Sequence, residues 1–122
     1  MQKIEIKDKK VQIFALKTKI IADYEQVVKT YIHSKESGGL WAYVRELSEN
    51  ERFSAQAVQV EETTQFKIVY NQKLNTELFI EFGNKTYEIV SIDKYEFNKT
   101  DVIIRGNEIL APTFDEVEYE DY

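Results

Sequence analysis

The stretch from Leu40 to Asp93 decides the fold class of this chain and reads LWAYVRELSENERFSAQAVQVEETTQFKIVYNQKLNTELFIEFGNKTYEIVSID. It begins with a strand around Trp41 and passes through a polar segment to a second strand around Phe66, where apolar and polar residues alternate. A hairpin follows, with its turn predicted at Gly83-Asn84 because both residues tolerate positive φ. Short alternating strands separated by turn signals predict a small antiparallel barrel or sandwich.

Further strands are predicted on both sides of this stretch. Val11 to Lys17 alternates and predicts the first strand, and Val102 to Arg105 predicts the last, which Gly106-Asn107 is expected to end. The segment between Ile20 and His33 fits a helical stripe as well as a strand. Its content of Val, Thr, Tyr and Ile favours the strand. We therefore predict an all-β chain, an antiparallel β-barrel or sandwich of about six strands. A long loop, helical in one interpretation, joins the Trp41 strand to the Phe66 strand.

Length and composition limit the domain organisation and the chemistry. A chain of 122 residues predicts one domain, here residues 1–112, with residues 1–10 as an N-terminal arm and residues 113–122 as an acidic tail. The chain has no cysteine and a single histidine, His33, so neither a thiolate zinc site nor an imidazole-rich metal site can form. We find no activated nucleophile and no glycine-rich phosphate loop. The sequence predicts no catalytic, cofactor-binding or metal-binding residues, and His33 is expected on the surface.

The charge is distributed unevenly along the chain. Residues 1–35 carry eight lysines and four acids, a net of +4, while the remainder carries a net of −10, which gives −6 overall. Tight nucleic-acid binding usually needs a concentrated basic patch, so the acidic part argues against it. No apolar run approaches the roughly 20 residues of a membrane span, and no membrane partner is expected.

One ordered set of features resembles the head-closure, or head–tail adaptor, proteins of tailed bacteriophages, which are also called stopper or head–tail joining proteins. The resemblance covers roughly the last two-thirds of the chain and depends on the order of its motifs. The matching features are Trp41-Ala42, Leu47-Ser48, Glu51, Phe53, Ala55-Gln56, Thr64, Phe66, Ile68, Tyr70, Gly83 and Tyr87-Glu88-Ile89. The chain departs from the family pattern at Glu49-Asn50, where glycine is common, and at Glu77, where a basic residue is common.

The resemblance implies a compact β-barrel and a structural role in the neck of the virion. Such a protein closes the portal channel after packaging, retains DNA and provides the surface for tail attachment. It implies self-association into a ring, with a portal-bound adaptor ring and a tail terminator or tail-completion protein as partners. Packaged DNA lies nearby without sequence-specific binding, and the protein is made in the host cytoplasm. The implied channel-closing loop comprises Ser48, Glu49, Asn50, Glu51, Arg52, Phe53, Ser54, Ala55, Gln56, Ala57 and Gln59.

The residues themselves leave plainer alternatives open. Ser48 to Val60 also fits an ordinary surface helix or connection, and the tail fits either a solvated terminus or an arm that folds onto a neighbouring subunit. Trp41 is expected mainly in the core, with an interface role as the alternative. The candidate subunit or partner contacts are Trp41, Tyr43, Phe114, Tyr119 and Tyr122. The alternative functions are a small barrel-type module that binds peptide or nucleic acid and an ordinary interaction domain.

Overall fold

A computed structural model describes residues 6–46, 64–69, 71–94 and 100–120, and these residues form one eight-stranded sheet. The all-β prediction is confirmed, and the described ranges contain no helix. The strands are β1 Lys9–Ile21, β2 Tyr24–Tyr31, β3 Leu40–Glu46, β4 Thr64–Val69, β5 Phe79–Phe82, β6 Lys85–Lys94, β7 Asp101–Ile109 and β8 Glu116–Tyr119.

Six of these strands form a closed, barrel-like ring. Hydrogen-bonded neighbours run in the order β3-β4-β7-β6-β5-β1, and β1 closes the ring by pairing Lys9–Val11 with β3. Gly39 permits this closure, since a Cβ at that position would lie 2.4 Å from the Val11 carbonyl oxygen. β2 and β8 lie outside the ring, where β2 pairs with β1 and β8 pairs with β2. A closed ring removes the free edges of its own six strands.

The interior of the ring is the apolar core. Period-2 alternation places every second side chain of a strand inside, because successive Cβ atoms point to opposite faces of the sheet. Phe66 is fully buried at the centre, with its ring edge-on to Tyr87 at 5.1 Å and to Phe82 at 6.4 Å. The residues buried with it include Val11, Ile13, Ile32, Ala42, Ile68, Leu78, Ile80, Ile89, Val102 and Ile104.

The segment that fitted both helix and strand is a strand, as preferred. β1 and β2 are antiparallel from the Ile21–Tyr24 pair to the Phe14–Tyr31 pair. The turn between them falls at Ala22 and Asp23, which both have positive φ, at 51° and 69°. The helical interpretation failed because Val, Thr and Tyr suit a pleated surface and the two strands are adjacent in sequence.

Val102 to Arg105 was predicted as the last strand, ended by Gly106-Asn107, and both parts of that prediction were wrong, because β8 follows it. β7 continues through Gly106 and Asn107 to Ile109, well beyond Arg105. Gly106 faces a register shift between Ile89 and Ser91 of β6, and a Cβ there would lie 3.0 Å from the Glu88 carbonyl oxygen. The glycine therefore permits a close approach at a β-bulge and does not terminate the strand. The Gly83-Asn84 turn between β5 and β6 is confirmed, with Gly83 at a φ of 65°.

Candidate subunit and partner contacts

The predicted channel-closing loop lies outside the described residues, but both ends of the loop are defined. β3 and β4 are antiparallel neighbours, and their pairing continues to Glu46 and Thr64, the last described residues before and after it. Thr64 is buried, and the facing pair Tyr43–Lys67 belongs to the same ladder. Glu46 and Thr64 therefore face each other at one end of the β3–β4 ladder, so the segment between them starts and finishes at one point of the ring. Ordinary hairpin connections contain only about 2–5 residues.

Trp41 lies on the outside of the ring, so its expected place in the core was wrong. Its side chain is 55% exposed, while its neighbour Ala42 is fully buried. β1 pairs Lys10 with Trp41, and the Lys10 ammonium lies 4.8 Å from the centre of the indole ring. A ring of only six strands has a narrow interior, and on this strand the small Ala42 occupies it. Tyr43, on the same outer face, is partly buried.

The C-terminal segment pairs with its own chain. β8 runs parallel to β2, with Val117 opposite Lys29 and Tyr119 opposite Tyr31. Tyr119 stacks on the Tyr31 ring with centroids 4.9 Å apart and an interplanar angle of 17°. The backbone N–H of Val27 donates to the Asp115 carboxylate at 2.8 Å, and Asp115 N–H donates to the Val27 carbonyl at 2.8 Å. Phe114 and Tyr119 therefore meet the outer surface of β2, while Tyr122 lies outside the described residues.

Beneath this aromatic face of β8 lies a partly buried ion pair that the sequence did not reveal. The Lys29 ammonium contacts the Glu81 carboxylate of β5, and the Tyr31 hydroxyl donates to the other carboxylate oxygen at 2.6 Å. Three rings surround the same ammonium, those of Phe14 at 4.6 Å, Tyr31 at 5.3 Å and Phe114 at 4.8 Å. Burial and then the bond to Glu81 raise the pKa of Tyr31.

The opposite face of β8 is ionic. Glu120 lies between two ammonium groups, 3.1 Å from Lys17 and 2.7 Å from Lys73, and Glu118 is 2.7 Å from Lys19. The hydrogen bond from Lys73, with a smaller contribution from Lys17, lowers the pKa of Glu120. The hydrogen bond to Glu118 raises the pKa of Lys19. β8 therefore presents aromatic side chains to one side of β2 and carboxylates to the lysines on the other.

An open cleft of about 620 Å³ adjoins this ionic face. Its lining combines apolar side chains of the ring with amide and charged groups, namely Ala15, Lys17, Ile32, Gln72, Lys73, Asn75, Leu78 and Glu120. The Glu120 carboxylate occupies one wall between its two lysines. The C-terminal segment thus lines the cleft through Glu120, together with residues of the ring and of the 71–77 connection.

His33 is buried, so the surface position expected for it was wrong. Only 2% of it is exposed, and its ring centroid lies 5.2 Å from Tyr31 and 6.1 Å from Tyr119. Its Nδ1 lies 3.0 Å from the Ser34 carbonyl oxygen, and Nε2 has no hydrogen-bond partner in the described part of the chain. Tyr119 of β8 contributes to the burial of His33. The residues next to His33 in the sequence give no sign of this contact.

The described residues contain neither a candidate metal site nor a candidate membrane-spanning helix. No group of three or more His, Asp or Glu side chains there could hold a metal ion. Nor does any helix among them have the length and apolarity needed to cross a membrane.

Residues 4–108 match the family model described as phage head completion protein. The chain belongs to this family. Its members are structural proteins of the phage head–tail region, so this chain is a virion-associated structural protein that works with head and tail components. The resemblance noted in the sequence is thereby confirmed.

The fold is similar to that of a solved structure. The solution structure of protein SF1141 from Shigella flexneri 2a superposes with a TM-score of 0.63, covering 88% of this chain and 96% of that one. The two sequences are 21% identical, so this likeness supports the fold alone. No curated protein sequence matches the chain.

Proposed function

We propose that this head completion protein closes the portal channel after DNA packaging, retains the DNA and provides the surface to which the tail attaches. The chain assembles as a ring on the connector, between a portal-bound adaptor ring and a tail-completion protein. Neighbouring subunits make heterologous contacts that close around the channel axis. Trp41, with its exposed indole ring on the outside of the β-ring, offers an aromatic contact to a neighbour or partner.

The observation that carries this proposal is the position of Glu46 and Thr64, between which residues 47–63 are inserted. The β3–β4 ladder is paired up to Glu46 and Thr64, so a long insertion starts from a fixed point of a closed ring. Loops of this length within a small domain are usually functional. Ser54, Gln56 and Gln59 offer hydroxyl and amide groups that can bond across a symmetry axis without accumulating charge. Channel closure then requires only a rearrangement of these segments.

The charge of the chain supports a channel that DNA passes without sticking. The net charge is −6, and phosphate neutralisation by clustered lysine and arginine is what gives tight DNA binding. Several lysines are already paired with acids of the same chain, including Lys17, Lys19, Lys29 and Lys73. Contact with packaged DNA would therefore be mechanical and independent of sequence.

The test is electron microscopy of lysates from a phage or prophage that lacks the gene, with the intact gene supplied in trans as control. We expect heads that packaged DNA and then lost it, together with free, complete tails. Intact infectious particles without the gene would overturn the proposal.

A second variant separates closure from tail attachment. Residues 47–63 are replaced by Asn-Gly, which suits a two-residue hairpin between Glu46 and Thr64. Thermal unfolding must first show that the variant folds like the intact chain. We expect this variant to join the connector and to leak DNA. Particles that keep their DNA would show that another segment closes the channel.

A further inference from the structure

β8 is an addition to a fold that is complete without it. The six-stranded ring closes through β1 and β3, and the match to the family ends at residue 108, before β8 begins. β8 is four residues long and has β2 as its one neighbour in the sheet. Each of its ion pairs is partly exposed, with Lys17 and Lys19 about half accessible, and such pairs contribute little stability. β8 is therefore a strand that can leave without unfolding the ring.

The surface beneath β8, in contrast, requires a cover. Lys29, Tyr31 and His33 are all more than nine-tenths buried, although they lie on the outer side of β2 or just beyond its end. Removing β8 would uncover the stacked face of Tyr31 and strip the Phe114 ring from the Lys29 ammonium. It would also leave the edge of β2 without its backbone partner, and such edges readily accept another strand. A strand must therefore occupy this site in the assembled protein.

The connection to β8 is built to let the strand move. Residues 110–115 join β7 to β8 without regular structure, and all except Pro112 are exposed. Leu110 is 93% exposed, which is unusual for a leucine that belongs to a packed segment. Phe114 and Asp115 contact β2 together with β8, so the connecting span is residues 110–113. Four extended residues span up to roughly 14 Å, and a proline favours an extended path. The connection can therefore reach a neighbouring subunit that touches this side of the ring.

We propose that β8 is exchanged between neighbouring copies in the assembled ring, so that each chain's Glu116–Tyr119 pairs with β2 of the next chain. This inference depends on the ring of the proposed function. The occupant is β8 of a second copy because the site matches this strand chemically. Tyr31 offers a stacking surface to Tyr119, and Lys19 offers an ammonium to Glu118. Exchange of an identical element preserves these contacts while it links the subunits.

In the proposed ring, the next copy's β2 stays at one position relative to each chain's connection, so exchange needs no further encounter between subunits. Pairing within the ring is intramolecular in effect, with an effective concentration set by the length of the connection. The free chain keeps β8 on its own β2 because no other acceptor is close. Exchange therefore accompanies assembly and links the subunits in series around the channel.

The test uses the absence of native cysteine. Val28 and Glu116 are register partners in the β2–β8 pair, so the variant carrying Val28→Cys and Glu116→Cys places two thiols side by side. Connectors are isolated under reducing conditions, checked for rings, oxidised and run on a denaturing gel. We expect covalent multimers from rings and intrachain-linked monomers from the free chain. A variant with Val28→Cys and Leu110→Cys controls for random collision, because Leu110 has no register partner on β2.

The decisive experiment assembles connectors from a mixture of two single variants, one carrying Val28→Cys and the other Glu116→Cys. Covalent dimers form from this mixture only if β8 crosses between chains. Intact rings that yield only intrachain-linked or unlinked monomers would overturn the exchange and leave the proposed function standing. Failure of the unmodified chain to form rings on connectors would overturn the proposed function and the exchange with it.

Discussion

The interior of the ring and the cluster beneath β8 are both buried, but they are built differently. The interior is apolar throughout the contacts of Phe66, Ile13 and Ile104. The outer cluster buries an ammonium and an imidazole among aromatic rings and pairs the ammonium with the partly exposed carboxylate of Glu81. The packing of the interior depends on apolar area and volume. The packing of the outer cluster depends on directional contacts between charged and aromatic groups.

This difference separates what holds the fold from what places the C-terminal strand. Apolar contacts are non-directional and contribute in proportion to the area they bury, so they stabilise the ring as a whole. A buried ion pair is costly to desolvate and stabilises only the arrangement that satisfies both partners. The outer cluster therefore specifies where Phe114 and Tyr119 lie, and the interior gives the ring its stability.

The largest effect is expected from Phe66→Ala, which removes the central ring of the interior. Loss of a buried phenylalanine costs about 3–5 kcal/mol, because a cavity remains where Phe82 and Tyr87 packed. Urea denaturation monitored by Trp41 fluorescence would measure the free energy of unfolding. Val69→Ala, on the same strand and 56% exposed, is the matched control and should change the free energy by less than about 0.5 kcal/mol. Equal losses in the two variants would contradict an interior that dominates stability.

A smaller effect is expected from Glu81→Gln, which keeps the shape of the side chain and removes its charge. The Lys29 ammonium would then stay buried without its counterion. Breaking a fully buried pair costs about 3–5 kcal/mol, and the partial exposure of Glu81 reduces our expectation to about 2 kcal/mol. The double variant Lys29→Met with Glu81→Gln should recover most of that loss in the same denaturation assay. A double variant that is no more stable than the single one would show that the charge pair is not the cause.

The smallest effect is expected on acidification and should be confined to β8. The pKa of Glu120 is lowered in the folded chain, so its contribution is complete above its ordinary value of 4.5 and is lost as the pH falls through the lowered value. Amide signals of Val117 and Tyr119 should therefore shift in acid before those of the ring strands, which nuclear magnetic resonance can follow. Glu120→Gln should remove this pH dependence of the β8 signals. Simultaneous loss of the β8 and ring signals would contradict a separable strand.

Sequence alone predicted the ring well because its signals are local. Alternation around Phe66 and Ile68 identifies β4 without knowledge of its neighbours, and Gly83 marks the turn between β5 and β6 by backbone geometry. The two residues of the ion pair, Lys29 and Glu81, are 52 positions apart, so neither is a sequence neighbour of its partner. Only the pairing of both β2 and β5 with β1 brings them together.

The missed positions share this dependence on distant partners. Trp41 was expected inside because it is large and apolar, but the register of β3 against β1 and β4 decides which face is interior. His33 is buried partly by the ring of Tyr119, which comes from the far end of the chain. The contribution of β8 could not be predicted, because an acidic segment with interspersed aromatic residues becomes a strand only beside an edge that fits it.

The uneven tethering of β1 has a mechanical consequence. Within the ring this strand is held by three residue pairs to β3 and three to β5, whereas eight pairs join it to β2. β1 therefore has the fewest residue pairs to its neighbours within the ring, and its residues beyond Phe14 form a hairpin with β2. A force applied at the free end of the β1–β2 hairpin would act on the β1–β3 and β1–β5 pairings, which have three residue pairs each. Under tension the ring should therefore open at the pairings of β1 before any other strand pair separates.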